Sequence, residues 1–221
     1  MKLEKPHAQS PALDLLKKRS TSRVYNTDTI PLKLLSEILF YSLGFINERA
    51  LPESTRLPSS LRHRRCSPSG GGLNSTEGYI YVRNVEGLDA GIYYYNPTQH
   101  ALHLCTRDLP TLGALLSGQH FINTLPVGIF LTSRLDKLWW KYKHSRTYRM
   151  ALIEVGHIAQ TFQLAATHFG LNTWLTGAME ECKIESLIGL KNPAEQLLFF
   201  VGAGFGVSES TPHKLANLIN R

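Results

Sequence analysis

Cysteine is scarce in this 221-residue chain: Cys66, Cys105 and Cys182 are far apart, odd in number and without CxxC spacing. That spacing argues against a disulfide framework and a thiolate zinc site, and it points to a reducing cytoplasm. No apolar run is long enough to span a bilayer, and residues 1–10 are polar without a signal-peptide core, so neither a membrane partner nor export is expected. Acid is also in short supply, with 17 Asp and Glu against 24 Lys and Arg, a net charge of +7. A nucleic-acid binder would interleave its cations with exposed aromatics or line them along one helix face. Only Trp139-Trp140-Lys141-Tyr142-Lys143 has that texture, so no nucleic-acid partner is expected. The basic clusters at 17–23, 62–65 and 137–149 read better as ligands for a cofactor phosphate or an acidic peptide, with the remainder solvated. No GxGxxG follows a strand and opens a helix, which leaves a dinucleotide-binding domain without support.

What the chain does have is 43% hydrophobic residues, enough for one sizeable core. The expected organisation is a disordered tail at 1–9 and a single domain over 10–221. Ser10-Pro11 opens a first helix through Lys18, with the serine placed to cap and proline in the first turn. Asp28-Thr29-Ile30-Pro31 opens a second, whose apolar stripe Leu34, Leu35, Ile38, Leu39 runs to about Leu43. Residues 46–77, rich in Pro, Ser, Gly and Arg, read as a long surface loop ending in Gly70-Gly71-Gly72. Strands are expected at 78–83, 91–95, 101–105, 127–132, 172–175 and 197–202, with helices at 109–116 and 148–169. Strands gathered among helices without βαβ alternation define an α+β fold with a mixed, mostly antiparallel central sheet.

Three groups of residues point to chemistry. Arg19 and Arg23 are four apart; they would share a face if the first helix continued, or could close on one anion from a turn. Guanidinium pairs suit a phosphate, and two solvated arginines are the plain alternative. Ser69, Gly70 and Gly71 would let backbone approach a flat ring closely, although an ordinary glycine loop has the same composition. On the long helix Glu154, His157 and Thr161 share a face. Glu-x-x-His is also half of a di-iron site, but the second motif is missing, so no metal is expected, and a buried histidine satisfied within its own helix is the alternative. Lys141-Tyr142 in its aromatic, basic surroundings suits either a reacting site or an amphipathic subunit contact.

Several of these segments resemble one family. Arg19-Ser20-Thr21-Ser22-Arg23 resembles the arginine-rich N-terminal motif of the nitroreductase-like flavoproteins. Pro68-Ser69-Gly70-Gly71 with Glu77-Gly78-Tyr79, the Asn84-Val85-Glu86-Gly87-Leu88 to Asn96-Pro97 stretch, and the stretch from Tyr148-Arg149 to Gly156-His157 and Gln160 are similar to motifs of its SagB-type, McbC-like dehydrogenase branch. The match spans roughly residues 10–205, and four motifs in order are specific where each alone is weak.

The resemblance implies an intertwined homodimer with two FMN cofactors, each lined by both chains. It implies that Arg19, Ser20, Thr21 and Arg23 hold the phosphate. Pro68, Ser69, Gly70, Gly71, Gln160, Thr176, Gly177 and Gly204 would line the flavin, with a backbone N–H at Thr176-Gly177 near flavin N5. Trp174 is expected to fill core. Lys141 and Tyr142 would supply the base for oxidising thiazolines or oxazolines to thiazoles or oxazoles in a ribosomally made peptide, with oxygen as reoxidant and a cyclodehydratase complex as partner. A base in this position needs its pKa pulled down, by burial for lysine or by positive charge for tyrosine.

Alternatives stay open: an NAD(P)H-dependent nitro- or quinone reductase, an oxidase of a cyclic dipeptide or modified side chain, and a non-catalytic scaffold subunit. The chain also departs from the pattern. His213-Lys214 stands where many relatives carry a phosphate-binding arginine pair, and no extra N-terminal docking domain is expected. Gly71 replaces the usual alanine, which is expected to be harmless.

Overall fold

The computed structural model describes residues 10–48 and 63–207. The expected tail at 1–9, residues 49–62 of the 46–77 loop and His213-Lys214 lie outside them. The first helix, α1 (Pro11–Lys18), is followed by β1 (Val24–Tyr25), α2 (Leu32–Leu43), β2 (Asn47–Glu48) and β3 (His63–Arg64). Then come β4 (Thr76–Val82), β5 (Gly91–Asn96), β6 (Ala101–Thr106), α3 (Leu112–Leu115), β7 (Val127–Arg134) and α4 (Leu135–Lys141). The long helix α5 (Thr147–His168) leads to β8 (Asn172–Thr176), α6 (Glu181–Ile188), β9 (Glu195–Gly204) and β10 (Gly206–Val207).

Six strands form one sheet in the order β6-β5-β4-β7-β9-β8. Every pairing in it is antiparallel, so the expected mixed sheet is corrected to a wholly antiparallel one. Parallel contacts are limited to isolated bridges such as Thr21 with Thr173. The alternation of β4 explains its position at the centre. Ile80 and Val82 face α2 and α5 with Leu35, Ile38, Val155, Ile158 and Phe162, while Tyr79 and Tyr81 face the opposite layer with Phe130, Trp174, Ile184 and Phe200. Both faces are covered, and β4 is buried throughout. Each fully buried Ile, Leu or Phe contributes about 1.5–3 kcal/mol, so these two layers carry most of the fold. Trp174 is core, as expected, at 3% exposure.

The termini of the helices follow their sequence signals. Ser10 Oγ accepts the Leu13 N–H at 3.2 Å and Pro11 sits in the first turn. At the end of α5, Gly170 takes φ +81° and its successor's amide closes on Ala166 O at 2.9 Å, a glycine stop of the left-handed kind. Three expectations need adjustment. The 109–116 helix is only the single turn α3. The flanks of the 46–77 loop pair as β2 and β3, with Asn47 opposite Arg64. Arg65, read as part of a basic surface cluster, is 3% exposed: its guanidinium lies 5.2 Å over the Phe45 ring and donates to Thr76 O at 2.8 Å, and burial pushes its pKa below the ordinary value.

Candidate active site

Glu154 builds the first half of the site from inside. Its side chain is on the inward face of α5 and 1% exposed. One carboxylate oxygen accepts from Ser69 Oγ at 2.6 Å and Gly70 N at 3.1 Å. The other accepts from Ser75 Oγ at 3.1 Å and from Thr76 N and Oγ1 at 2.9 and 3.1 Å. Burial of a carboxylate is costly unless such donors replace water; here five of them fold residues 69–76 around it. Ser69 Oγ also accepts the Asn74 N–H at 2.8 Å, so this hydroxyl and the Gly70 amide are spent on the turn itself. Nearby, Ser67 Oγ donates to Thr161 Oγ1 at 2.7 Å. His157, in contrast, is exposed, which removes the alternative of a buried histidine.

The turn Gly70–Gly72 emerges with Gly71 at φ +63° and with an amide that makes no hydrogen bond among the described residues. Helix α4 crosses it. Two lysines one turn apart reach down to neighbouring segments: Lys137 Nζ pairs with Glu77 Oε1 on β4 at 2.5 Å, and Lys141 Nζ donates to Gly71 O on the turn at 3.2 Å. Lys141 and Tyr142 therefore meet Gly70 and Gly71, seventy positions away in sequence, at a cleft of about 520 Å³.

Glycine at position 71 suits its surroundings, and the reverse change to alanine would not. A Cβ at this position would stand 2.5 Å from Tyr142 Oη and 3.0 Å from Lys141 Nζ, and the left-handed backbone is strained for any L side chain. Gly71→Ala should cost about 1–3 kcal/mol in a urea titration and displace Tyr142; an unchanged midpoint would show that the tyrosine gives way freely.

The second half lies along β8. Helix α1 stops at Lys18, and Arg19 is already extended at ψ 121°. The link that follows is pinned by Ser22 N to Thr173 O at 2.9 Å, while Thr173 Oγ1 donates to Ser20 O at 3.4 Å and accepts from Gln163 Nε2 at 3.2 Å. Ser22 is fully buried, leaving Arg19, Thr21 and Arg23 half-buried on the link. Neither arginine has a carboxylate partner among the described residues.

About 10 Å further along the strand, Thr176 Oγ1 accepts the Ala178 N–H at 3.0 Å. Gly177 is exposed, and its amide has no acceptor among the described residues. Gln160 is exposed, and the glutamine that reaches this half is Gln163, 2% exposed. Its signal in the sequence is a polar side chain within the apolar stripe of α5. Gly204 has a packing role, since a Cβ there would meet Pro126 at 2.6 Å.

Guanidiniums without a carboxylate partner among the described residues, on the link beside β8, and the Gly177 amide after that strand suit a phosphorylated, hydrogen-bonding planar ligand; a lysine and a tyrosine over a glycine turn suit a proton-transfer partner for it. The comparisons agree on the class. The nitroreductase family profile matches residues 16–205, and the chain belongs to that family of oxidoreductases. The MJ1384 protein of Methanocaldococcus jannaschii is 30% identical over 180 residues, covering 80% of this chain and 84% of that protein. The microcin B17-processing protein McbC of Escherichia coli is 31% identical over 131 residues, 56% of this chain. The trifolitoxin-processing protein TfxB of Rhizobium leguminosarum is 30% identical over 133 residues, 58% of this chain. The chain spans 48% of McbC and 36% of TfxB.

Among solved structures, a nitroreductase-like protein of Ralstonia eutropha superposes with a TM-score of 0.71 at 20% identity, over 95% of this chain and 89% of that one. A chain of the E. coli microcin synthetase McbBCD complex with truncated pro-MccB17 bound superposes at 0.69 and 20% identity, over 93% and 76%. A more distant neighbour from Desulfovibrio desulfuricans, a structure in complex with FMN, superposes at 0.57 and 15% identity, over 96% of each chain. These likenesses establish the nitroreductase fold.

Proposed function

We propose that the protein is a cytoplasmic FMN-dependent dehydrogenase that oxidises thiazoline or oxazoline rings in a ribosomally synthesised peptide. The observation that carries this reading is the seating of Lys141 and Tyr142 on the Gly70–Gly72 turn, which supports the roles of base and ring-lining loop that the resemblance implies for them. The peptide-processing names of McbC and TfxB support it.

The chain's residues fit the cofactor. Arg19 and Arg23, with Ser20 and Thr21, would hold the phosphate; the free Gly177 and Gly71 amides would face the ring. FMN, when bound, supplies the acceptor for the hydride. The protein's part is to hold the ring carbon beside Lys141 and Tyr142, one of which takes the proton that leaves with it. Aromatisation removes one hydride and one proton, so both groups are needed at one place.

The predicted site residues fall into two groups within a chain, one at the start of α5 and one at β8. A homodimer would bring the first group of one protomer to the second group of its partner. The outward face of α5 offers the surface: Leu152 and Ile153 are 46% and 48% exposed, and nothing lies within 4 Å of a Cβ at Gly156. A cyclodehydratase is the further partner this reading implies, because it makes the azoline. One observation favours a second reading, an NAD(P)H-driven nitroreductase: MJ1384, 30% identical over 180 residues, carries a nitroreductase name. Rapid anaerobic bleaching of the flavin by NADPH would decide for it.

The visible absorption spectrum of the purified protein is the first test; stoichiometric FMN is expected. A colourless protein that takes up no added FMN would end the proposal. Arg23→Ala should weaken FMN retention about tenfold, the loss of one charge-assisted contact. Its readout is flavin released on gel filtration, and full occupancy would remove Arg23 from the phosphate site.

A further inference from the structure

We infer that the cleft beside Lys141 and Tyr142 is built to hold an anionic group of the substrate, the carboxylate of an acidic residue next to the ring that is oxidised; this rests on the reading above. The cleft is lined by Gly71, Tyr142, His144, Arg146, Arg149 and Met150, among others, and no acidic residue lines it. Over residues 137–153 the sequence contains no Asp or Glu. Of the cations in that stretch, Lys137 is neutralised by Glu77. Lys141, Lys143, Arg146 and Arg149 have no carboxylate partner among the described residues.

Fold stability does not explain them. Arg146 and Arg149 occupy the cap and first turn of a 22-residue helix that has no acidic residue in that turn. Cations are disfavoured at this positive end of the helix dipole, and they add to the repulsion from Lys141 and Lys143. The first amides of α5 are already engaged, from Thr147, Tyr148 and Arg149 to the carbonyls of His144, Ser145 and Arg146. An incoming anion would therefore be held by the side chains, and Arg149 presents the planar fork that a carboxylate accepts.

The flavin phosphate is the competing anion, but Arg19 and Arg23 already stand unpaired on the separate β8 link to receive it. On the other side of the 144–147 loop, a second cleft of about 430 Å³ is lined by Leu135, Trp139 and Tyr148. Asp136 also lines it but is paired with Arg134, so this cleft would seat an apolar side chain of the same peptide against the rings.

The test uses the flavin-loaded protein and two rhodamine-labelled thiazoline peptides, one with glutamates flanking the ring and its glutamine twin. Fluorescence anisotropy should show about tenfold tighter binding of the acidic peptide at low salt, fading towards parity at about 1 M salt. In the double variant Arg146→Gln, Arg149→Gln the ratio should collapse towards one. Equal affinity of the wild-type protein for both peptides overturns the inference, as does a ratio that survives in the variant. A variant that loses FMN but still takes up riboflavin would assign the arginines to the cofactor phosphate and overturn it too. The salt titration of the wild-type protein decides even if the variant fails to fold. Acid-selective binding without ring oxidation would uphold the anion site while refuting azoline oxidation.

Discussion

Glu154→Ala should cost about 3–5 kcal/mol of stability, the penalty for breaking up a buried charged network by removing one partner, and should abolish FMN retention. The size of the effect follows from the number of donors left behind. Ser69 Oγ, the amides of Gly70 and Thr76, and the hydroxyls of Ser75 and Thr76 all converge on this carboxylate. Each buried donor without an acceptor costs about 1–3 kcal/mol, though water entering the vacated space would satisfy some. Glu154→Gln is the sharper variant. It keeps the shape, but its NH₂ group faces donors instead of accepting from them, so most of the loss should remain. A urea midpoint and a flavin-to-protein absorbance ratio measure both effects. Wild-type values for Glu154→Gln would mean that the loop is held by its own turns.

Lys141→Ala should lower ring oxidation by about 10²–10⁴-fold, the range for removing a general base, while keeping both fold and flavin. The separation of effects is readable from the geometry. Lys141 is exposed and its ammonium makes a single hydrogen bond among the described residues, to Gly71 O, whereas Lys137 one turn earlier holds the buried end of α4 to Glu77. Anaerobic single-turnover oxidation of a thiazoline peptide is the measurement. If Lys141→Ala is unimpaired and Tyr142→Phe is crippled, the base is the tyrosine; if both turn over normally, neither residue is the base.

Much of the sheet could be read from the chain because β-branched and aromatic runs mark β4, β5, β7 and β9 directly. Helix α4 could not. It is seven residues long, and its two tryptophans, 52% and 59% exposed, break any apolar stripe around Leu138. The two-residue strands β1 and β10 were also invisible, since they exist only through their pairing with each other. At the candidate site, the motifs name residues in both groups but not what holds them in place. Glu154 was seen as one polar point on a helix face, because its donors come from a loop some eighty positions away. The need for glycine at position 71 is hidden for a related reason: its backbone conformation and the tyrosine above it are tertiary facts.

Helix α5 touches both halves, through Glu154 at residues 69–76 and through Gln163 at Thr173. Nine residues separate these side chains, about 13 Å of helix at 1.5 Å per residue. The helix thus acts as a ruler with a phase. One extra residue between them would lengthen it by only 1.5 Å, but it would swing one half-site about 100° around the axis relative to the other. Seven extra residues would nearly restore the phase while stretching the gap by about 10 Å. The spacing between Glu154 and Gln163 therefore tolerates insertion poorly, by phase before length.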